Sequence, residues 1–216
     1  LNIGAGQQGV LRFDGDVDSL RVIREMTFSS DTYLIREKIR VVNTTDQARS
    51  VRVSYTVAAD ASNAAGDRYD AMRLAWDNDG SLGEESSPKT LETTGAQVAG
   101  KIYWAGTMST YFLAAVLPGD TSNVTVKGRM QQNVFRAAVE EPEVMLGPGQ
   151  ERELTVSYWV GPKERAKLAA VSDQLAKSID LGMFHVIAKG LLWLLEFFQK
   201  YVNNWGVAII LLTVLI

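Results

Sequence analysis

Hydrophobic and polar positions alternate with period two along most of residues 1–161. Over 33–42, Tyr33, Ile35, Ile39 and Val41 share one face of a strand and Arg36, Lys38 and Arg40 the other. Over 50–57, Val51, Val53, Tyr55 and Val57 alternate with Arg52, Ser54 and Thr56, and the turn at 43–46 predicts that these two strands pair antiparallel. Over 151–160, Leu154, Val156, Tyr158 and Val160 face in while Glu153, Thr155 and Ser157 face out. Weaker strands are predicted over 1–13, 20–28, 90–94, 101–105, 110–117, 123–127 and 133–139, with turns at Asp14-Gly15-Asp16, Pro118-Gly119-Asp120 and Gly147-Pro148-Gly149. Residues 58–88 form a long polar excursion with one short strand at 72–76. About ten strands without interleaved helices predict an antiparallel two-sheet β-sandwich.

The period changes at Gly161-Pro162. Pro162 is suited to the first helical position, where a missing amide hydrogen costs nothing. Leu168, Val171, Leu175 and Ile179 then recur at helical spacing, predicting an amphipathic linker helix over 162–179 that packs on the sandwich. Asp180 and Gly182 redirect the chain into a second helix over 180–203. There Lys189, Glu196 and Lys200 fall on one narrow side, and Phe184, Leu191, Leu195 and Phe198 belong to a broad apolar remainder. Glu196 and Lys200 are an i,i+4 pair in the favourable order. Trp193, Tyr201 and Trp205 suit the headgroup depth of a bilayer. The last stretch, 204–216, is uncharged and still apolar at Ile216, which predicts the start of a transmembrane helix that is cut short. The alternative is a buried hairpin of core helices.

Composition narrows the chemistry. The chain has 22 basic and 25 acidic residues, a net charge of -3, no cysteine and one histidine. Thiolate catalysis and structural disulfides are excluded, the usual zinc clusters lack ligands, and no basic stripe invites nucleic acid. His185, in the apolar helical stretch, reads as a packing or interfacial residue. Asp77-Asn78-Asp79-Gly80 resembles the start of a calcium loop, but the twelfth position is Pro88 and not Glu. Glu140, Glu141 and Glu143 could seat two carboxylates for sugar chemistry, yet read more simply as a solvated approach to the Gly147–Gly149 turn. Trp76, Trp104 and Trp159 could form a stacking platform, or fill a core or the gap between a sheet and a helix. No catalytic, metal or cofactor residues are assigned. The opening LNIGAG carries neither Met nor a signal-like segment, so any export signal or anchor is expected upstream.

Several stretches together carry a resemblance. YWVGPKERAKL, DLGMF and NWGVAIILLTVLI are similar to the YidC family of bacterial membrane protein insertases, over 158–168, 180–184 and 204–216. Residues 33–44 and 100–117 match more loosely. In GKIYWAGTMSTYFLAAVLP, Trp104 followed by Tyr111 and Phe112 resembles a central strand of that family, and these three read as core aromatics. Trp159, Gly161 and Pro162 belong to the WVGPKE-like segment that closes the family's β domain.

The resemblance implies a galactose-mutarotase-like supersandwich on the periplasmic side of the bacterial inner membrane, followed by an interfacial helix and the first core transmembrane helix. It implies an insertase and chaperone for nascent membrane proteins, acting alone or with the Sec translocon, in which SecF is a contact. Membrane lipid is the other expected partner. The groove arginine of that family would lie beyond Ile216, so these residues would have a supporting role. Rival readings are a sandwich module that binds glycan or peptide without catalysis, and a membrane-anchored periplasmic scaffold of other function.

Overall fold

The computed structural model describes residues 2–61, 72–179 and 185–215. They fall into two units, 1–178 and 179–216.

The first unit is built from antiparallel strands. β1 (Gln8–Val17) and β2 (Leu20–Ser29) form a hairpin whose turn residues, Asp18 and Ser19, both have positive φ. That conformation suits a two-residue turn, which is why the chain reverses there and runs straight through the predicted turn at Asp14-Gly15-Asp16. β3 (Leu34–Asn43) follows, then β4 (Arg49–Val51) and β5 (Ser54–Asp60). The expected pairing of 33–42 with 50–57 does not occur. β3 lies between β2 and β14 (Glu151–Pro162), whereas β4 pairs with β13 (Val144–Leu146) and β5 enters another sheet. Alternation fixes which face of a strand is buried, not which strand lies beside it.

β6 (Arg73–Asn78) and β7 (Ser81–Glu85) make a hairpin turned by Asp79 and Gly80, both at positive φ. Residues 90–94, predicted as a strand, lie largely in a short helix, α1 (Pro88–Thr93). Ser87 caps it by accepting from the Thr90 N–H, and Pro88 opens it. The cap and the proline override the β preference of the threonines. β8 (Ala96–Gly100), β9 (Ile102–Met108), β10 (Phe112–Pro118), β11 (Val124–Gln131) and β12 (Val134–Glu140) complete the unit.

The sheets have the orders β1-β2-β3-β14-β10-β9-β6-β7, β5-β12-β11-β8 and β13-β4. The eight-stranded and four-stranded sheets enclose the main core, with Leu74, Ala105, Val116, Val126, Phe135 and Val139 among its buried members. This is a mainly β, multi-sheet sandwich, followed by helices.

The junction at the end of β14 differs from expectation. Pro162 is the last strand residue, paired with Phe112, and α2 (Arg165–Val171) begins after Glu164. Strand pairing with β10 holds Pro162 in the extended state, so it cannot start the helix. The linker helix is also broken: Ser172 is extended and caps α3 (Asp173–Ala176) by accepting from the Gln174 and Leu175 N–H groups. Ser172 thus ends one helix and starts the next.

Both helices press onto the sheet. Leu168 and Leu175 are fully buried, and the Trp104 indole N–H donates to the Gln174 carbonyl at 3.0 Å. At one end of this strap the Lys163 N–H donates to the Tyr111 carbonyl. At the other the Lys177 ammonium reaches the Gly80 carbonyl at 3.5 Å.

The second unit contains α4 (His185–Val202) and α5 (Trp205–Leu215), packed on one another.

Candidate membrane interface

Two residues make the corner between α4 and α5. Asn203 has φ 50, the left-handed state that ends many helices, and its N–H donates to the Gln199 carbonyl at 2.7 Å. Asn204 then caps α5, its Oδ1 accepting from the Gly206 N–H at 2.9 Å and the Val207 N–H at 3.3 Å. Two of the N–H groups at the start of α5 are therefore satisfied by the Asn204 side chain. That matters at the edge of a bilayer, where an unsatisfied amide is costly.

α4 has three kinds of surface. Leu191, Leu194, Leu195 and Phe198 are half-buried. Glu196 and Lys200 are exposed, and among the described residues no ion pair joins them. Between these faces climbs a ladder of exposed aromatics at spacing four. Trp193 stacks on Phe197 at 5.7 Å between ring centroids, and Phe197 meets Tyr201 at 4.8 Å. Trp193 is 65% exposed and Tyr201 75%. The predicted interface residues thus divide. Trp193, Tyr201 and Trp205 are exposed, Leu191, Leu195 and Phe198 are half-buried, and Phe184 lies outside the described residues. Periodicity predicts the apolar surface for Phe184, Leu191, Leu195 and Phe198, whereas Trp193, Tyr201 and Trp205 are expected at headgroup depth from their side-chain chemistry. The separation between an aromatic ladder and an aliphatic side follows from the angular difference between 193, 197, 201 and 191, 195, 198 around a helix.

α5 carries no charged residue and leaves Val207, Ile209, Ile210, Val214 and Leu215 exposed, with Ala208 buried. Its 11 residues rise about 16 Å at ~1.5 Å per residue, against roughly 30 Å of hydrocarbon. No helix among the described residues is long and apolar enough to cross a membrane.

The structural residues singled out from sequence lie in the first unit. Trp104 and Trp159 are buried, and Trp159 receives the edge of Tyr33 at 5.6 Å. Gly161 makes that stack possible: a Cβ there would fall 2.5 Å from the Tyr33 ring. Tyr111 and Phe112, expected as core aromatics, are instead 65% and 62% exposed. They sit where β9 turns into β10, Tyr111 between the two strands and Phe112 as the first residue of β10. With Tyr33, Val160 and Pro162, Phe112 borders an apolar recess of about 550 Å³.

A second cleft of about 550 Å³ opens between the sheets beside β5, lined by Val22, Met26, Ile35, Tyr55 and Tyr158. Two of its lining residues, Arg24 and Tyr158, donate to the buried Glu37 carboxylate, the Tyr158 hydroxyl at 2.8 Å. Burial, and next the Glu37 carboxylate, push the Tyr158 hydroxyl far up. Glu141, one of the candidate sugar-chemistry acids, is buried, with the Tyr55 hydroxyl at 3.4 Å and Arg152 at 3.6 Å. Burial raises its carboxyl above the ordinary value, against the pull of Arg152. Glu143 is exposed and held low by Ser50 and Arg52, and Glu140 meets Lys127 at 2.8 Å. Each of the three acids therefore has its own basic partner. The single histidine belongs to α4, outside the sandwich.

The fold has known counterparts. A GH36 α-galactosidase of Geobacillus stearothermophilus aligns over 82% of this chain and 27% of its own, with TM-score 0.55 and 11% identity. A protein described as a candidate aldose 1-epimerase, from Klebsiella pneumoniae, aligns over 81% and 56%, with TM-score 0.52 and 12% identity. At such identities the likeness concerns fold alone. Sequence relatives are far nearer. Membrane protein insertases YidC of Nitratidesulfovibrio vulgaris (strain Miyazaki F), Lawsonia intracellularis and Geobacter sulfurreducens are 49%, 40% and 30% identical, each over the whole of this chain. The chain spans about 40% of the length of those relatives. Residues 4–194 match the model of the YidC periplasmic domain, and the chain belongs to that family.

Proposed function

We propose that this chain is the periplasmic domain and membrane-entering segment of an insertase and chaperone for inner-membrane proteins, acting alone or with the Sec translocon. One observation carries the reading: a sandwich of the YidC periplasmic family is followed by two helices with exposed apolar and aromatic side chains, joined by a corner capped by its own asparagines. In this reading 1–161 is the periplasmic sandwich, 162–179 the strap on it, 180–203 an interfacial helix and 204–216 the first part of a membrane helix. The aromatic ladder Trp193-Phe197-Tyr201, with Trp205, takes the headgroup layer, and the uncharged α5 enters the hydrocarbon. Nascent membrane proteins, SecF and lipid are the partners of the whole protein. The role of these residues is to set the height and angle of the helix that follows.

Flotation on liposomes containing anionic lipid tests the membrane part. The chain floats, and a chain ending at residue 178 stays in solution. Changing Leu191, Leu195 and Phe198 together to Asp in the full-length insertase lowers substrate insertion. Flotation of both forms, or normal insertion by the triple variant, overturns the reading.

A further inference from the structure

The eight-stranded sheet ends in β1, and among the described residues β1 pairs with β2 alone. This edge is long and open: Val10, Phe13 and Val17 are each more than half exposed. Its pairing runs without a bulge from Gln8 opposite Ser29 to Val17 opposite Leu20, and it contains no proline. Such an edge is a template for another strand unless something blunts it.

The hairpin turn determines which groups the edge offers. In a two-residue turn the closing pair, here Val17 and Leu20, exchanges both hydrogen bonds. Counting back from it, Gly15, Phe13, Leu11 and Gly9 direct their N–H and C=O groups to β2. Asp16, Asp14, Arg12, Val10 and Gln8 direct theirs outward. An incoming strand must bond to these even-numbered positions.

We propose that the strand that fits is β1 of a second copy of this chain, antiparallel about a two-fold axis at Phe13. A symmetric register must set outward groups against outward groups, which leaves four central choices, with the axis at Leu11, Arg12, Phe13 or Asp14. An axis at Arg12 sets Arg12 against Arg12, and one at Asp14 sets Asp14 against Asp14. An axis at Leu11 sets Arg12 against Val10 and Asp14 against Gln8, which gains no charge pair. Only the axis at Phe13 places Arg12 of each copy against Asp14 of the other, pairing opposite charges twice and opposing no like charges. Within one chain Arg12 already meets Glu25 at 2.9 Å and Asp14 meets Arg21 at 2.8 Å. The junction would therefore extend two ion pairs into a row of alternating sign: Glu25, Arg12, then Asp14 and Arg21 of the second copy. On the other face Phe13 meets Phe13 on the axis, as a pair that exchanges no hydrogen bonds, the arrangement that brings side chains closest. Phe13 lies opposite Arg24, on the face of β2 that lines the inter-sheet cleft. Two large sheets would thus join edge to edge, with their clefts on the same side.

The chain has no cysteine, so single thiols report the register. Under mild oxidation in detergent, Phe13→Cys should cross-link to a dimer at least about tenfold faster than Val10→Cys or Val17→Cys, because only position 13 faces its own copy within disulfide reach. Asp14→Pro removes an outward N–H and leaves the β2 ladder whole. It should raise the dimer dissociation constant about tenfold or more in sedimentation, since the axis repeats each lost bond, while the thermal midpoint stays in place. A monomer at every attainable concentration, a dimer unaffected by Asp14→Pro, or equal cross-linking at 10, 13 and 17 overturns the proposal. So does a dimer that cross-links fastest at position 10 or 17.

Discussion

Trp104 and Trp159 of the first unit and Trp193 and Trp205 of the second are treated in opposite ways. In the sandwich Trp104 and Trp159 are sealed, and even the buried acids Glu37 and Glu141 have partners. In the helix pair Trp193, Tyr201 and Trp205 stand open, and α5 exposes most of its aliphatic residues. The same residue type therefore has two uses. A sealed tryptophan holds a fold together in water, while an open one beside an uncharged helix has its energy left to gain from another phase. The largest expected effect tests this contrast directly. Trp104→Ala removes a buried ring and a hydrogen bond to the strap, and should lower the unfolding free energy of the sandwich by about 3–5 kcal/mol. Trp193→Ala should move it by less than about 0.5 kcal/mol and instead weaken liposome flotation. Urea titration followed by tryptophan fluorescence, alongside flotation, checks both. Equal effects of the two on unfolding would erase the distinction.

A smaller effect sharpens the sandwich side. Glu141 is sealed like the tryptophans, but it is a carboxylate whose folded value lies above the ordinary 4.5. A raised acid favours the folded state fully when protonated, below the unfolded value, and that advantage is lost as pH rises through the folded value. Glu141→Gln keeps the protonated shape at every pH. The variant should match the parent near pH 4 and become the more stable of the two toward pH 8, by about 1 kcal/mol, since Arg152 relieves part of the burial cost. Comparing the two proteins cancels the exposed acids Asp14 and Glu143, whose lowered values act in the opposite sense. A parent that instead becomes the more stable of the two as pH rises would show that Arg152 outweighs burial.

Much of this contrast was legible in the sequence. Alternation gave the faces of β3, β5 and of β14 as far as Tyr158, and the absence of charge marked α5; beyond Tyr158 the pattern fails, since Trp159 is buried and Val160, expected inward, is half exposed. What period-two patterns could not give was partnership. Residues 50–57 read as one strand, yet Val51 and Tyr55 serve different sheets. Threonines at 90, 93 and 94 suggested β structure, while the Ser87-Pro88 cap carried the decisive signal in plain view. Pro162 obeyed its pairing with Phe112 over its own preference for a helix start. Tyr111 and Phe112 read as core by pattern, because aromatics in strands usually are, but they lie at the turn from β9 into β10 and are exposed. In the interface, the aromatic residues were legible from composition and spacing. The left-handed corner at Asn203 was not, because Asn-Asn is equally at home in any turn.

That corner supplies the smallest prediction, on the helical side of the comparison. Asn203 occupies a positive φ that glycine tolerates without cost and alanine does not, so Asn203→Gly should be neutral and Asn203→Ala should cost about 1 kcal/mol of local helix stability. Asn204→Ala removes the acceptor for two N–H groups at the start of α5 and should cost a similar ~1 kcal/mol. Neither change should touch the sandwich, so its urea midpoint stays fixed. Amide exchange at Trp205–Val207 in detergent micelles reads the effect: faster in both alanine variants, unchanged in Asn203→Gly. If water caps the start of α5 as well as Asn204 does, exchange will not change in Asn204→Ala. The helix pair would then meet the bilayer with its polar backbone uncovered at the point where α4 turns into α5, a position that hydrocarbon would not tolerate and that only the headgroup layer could hold.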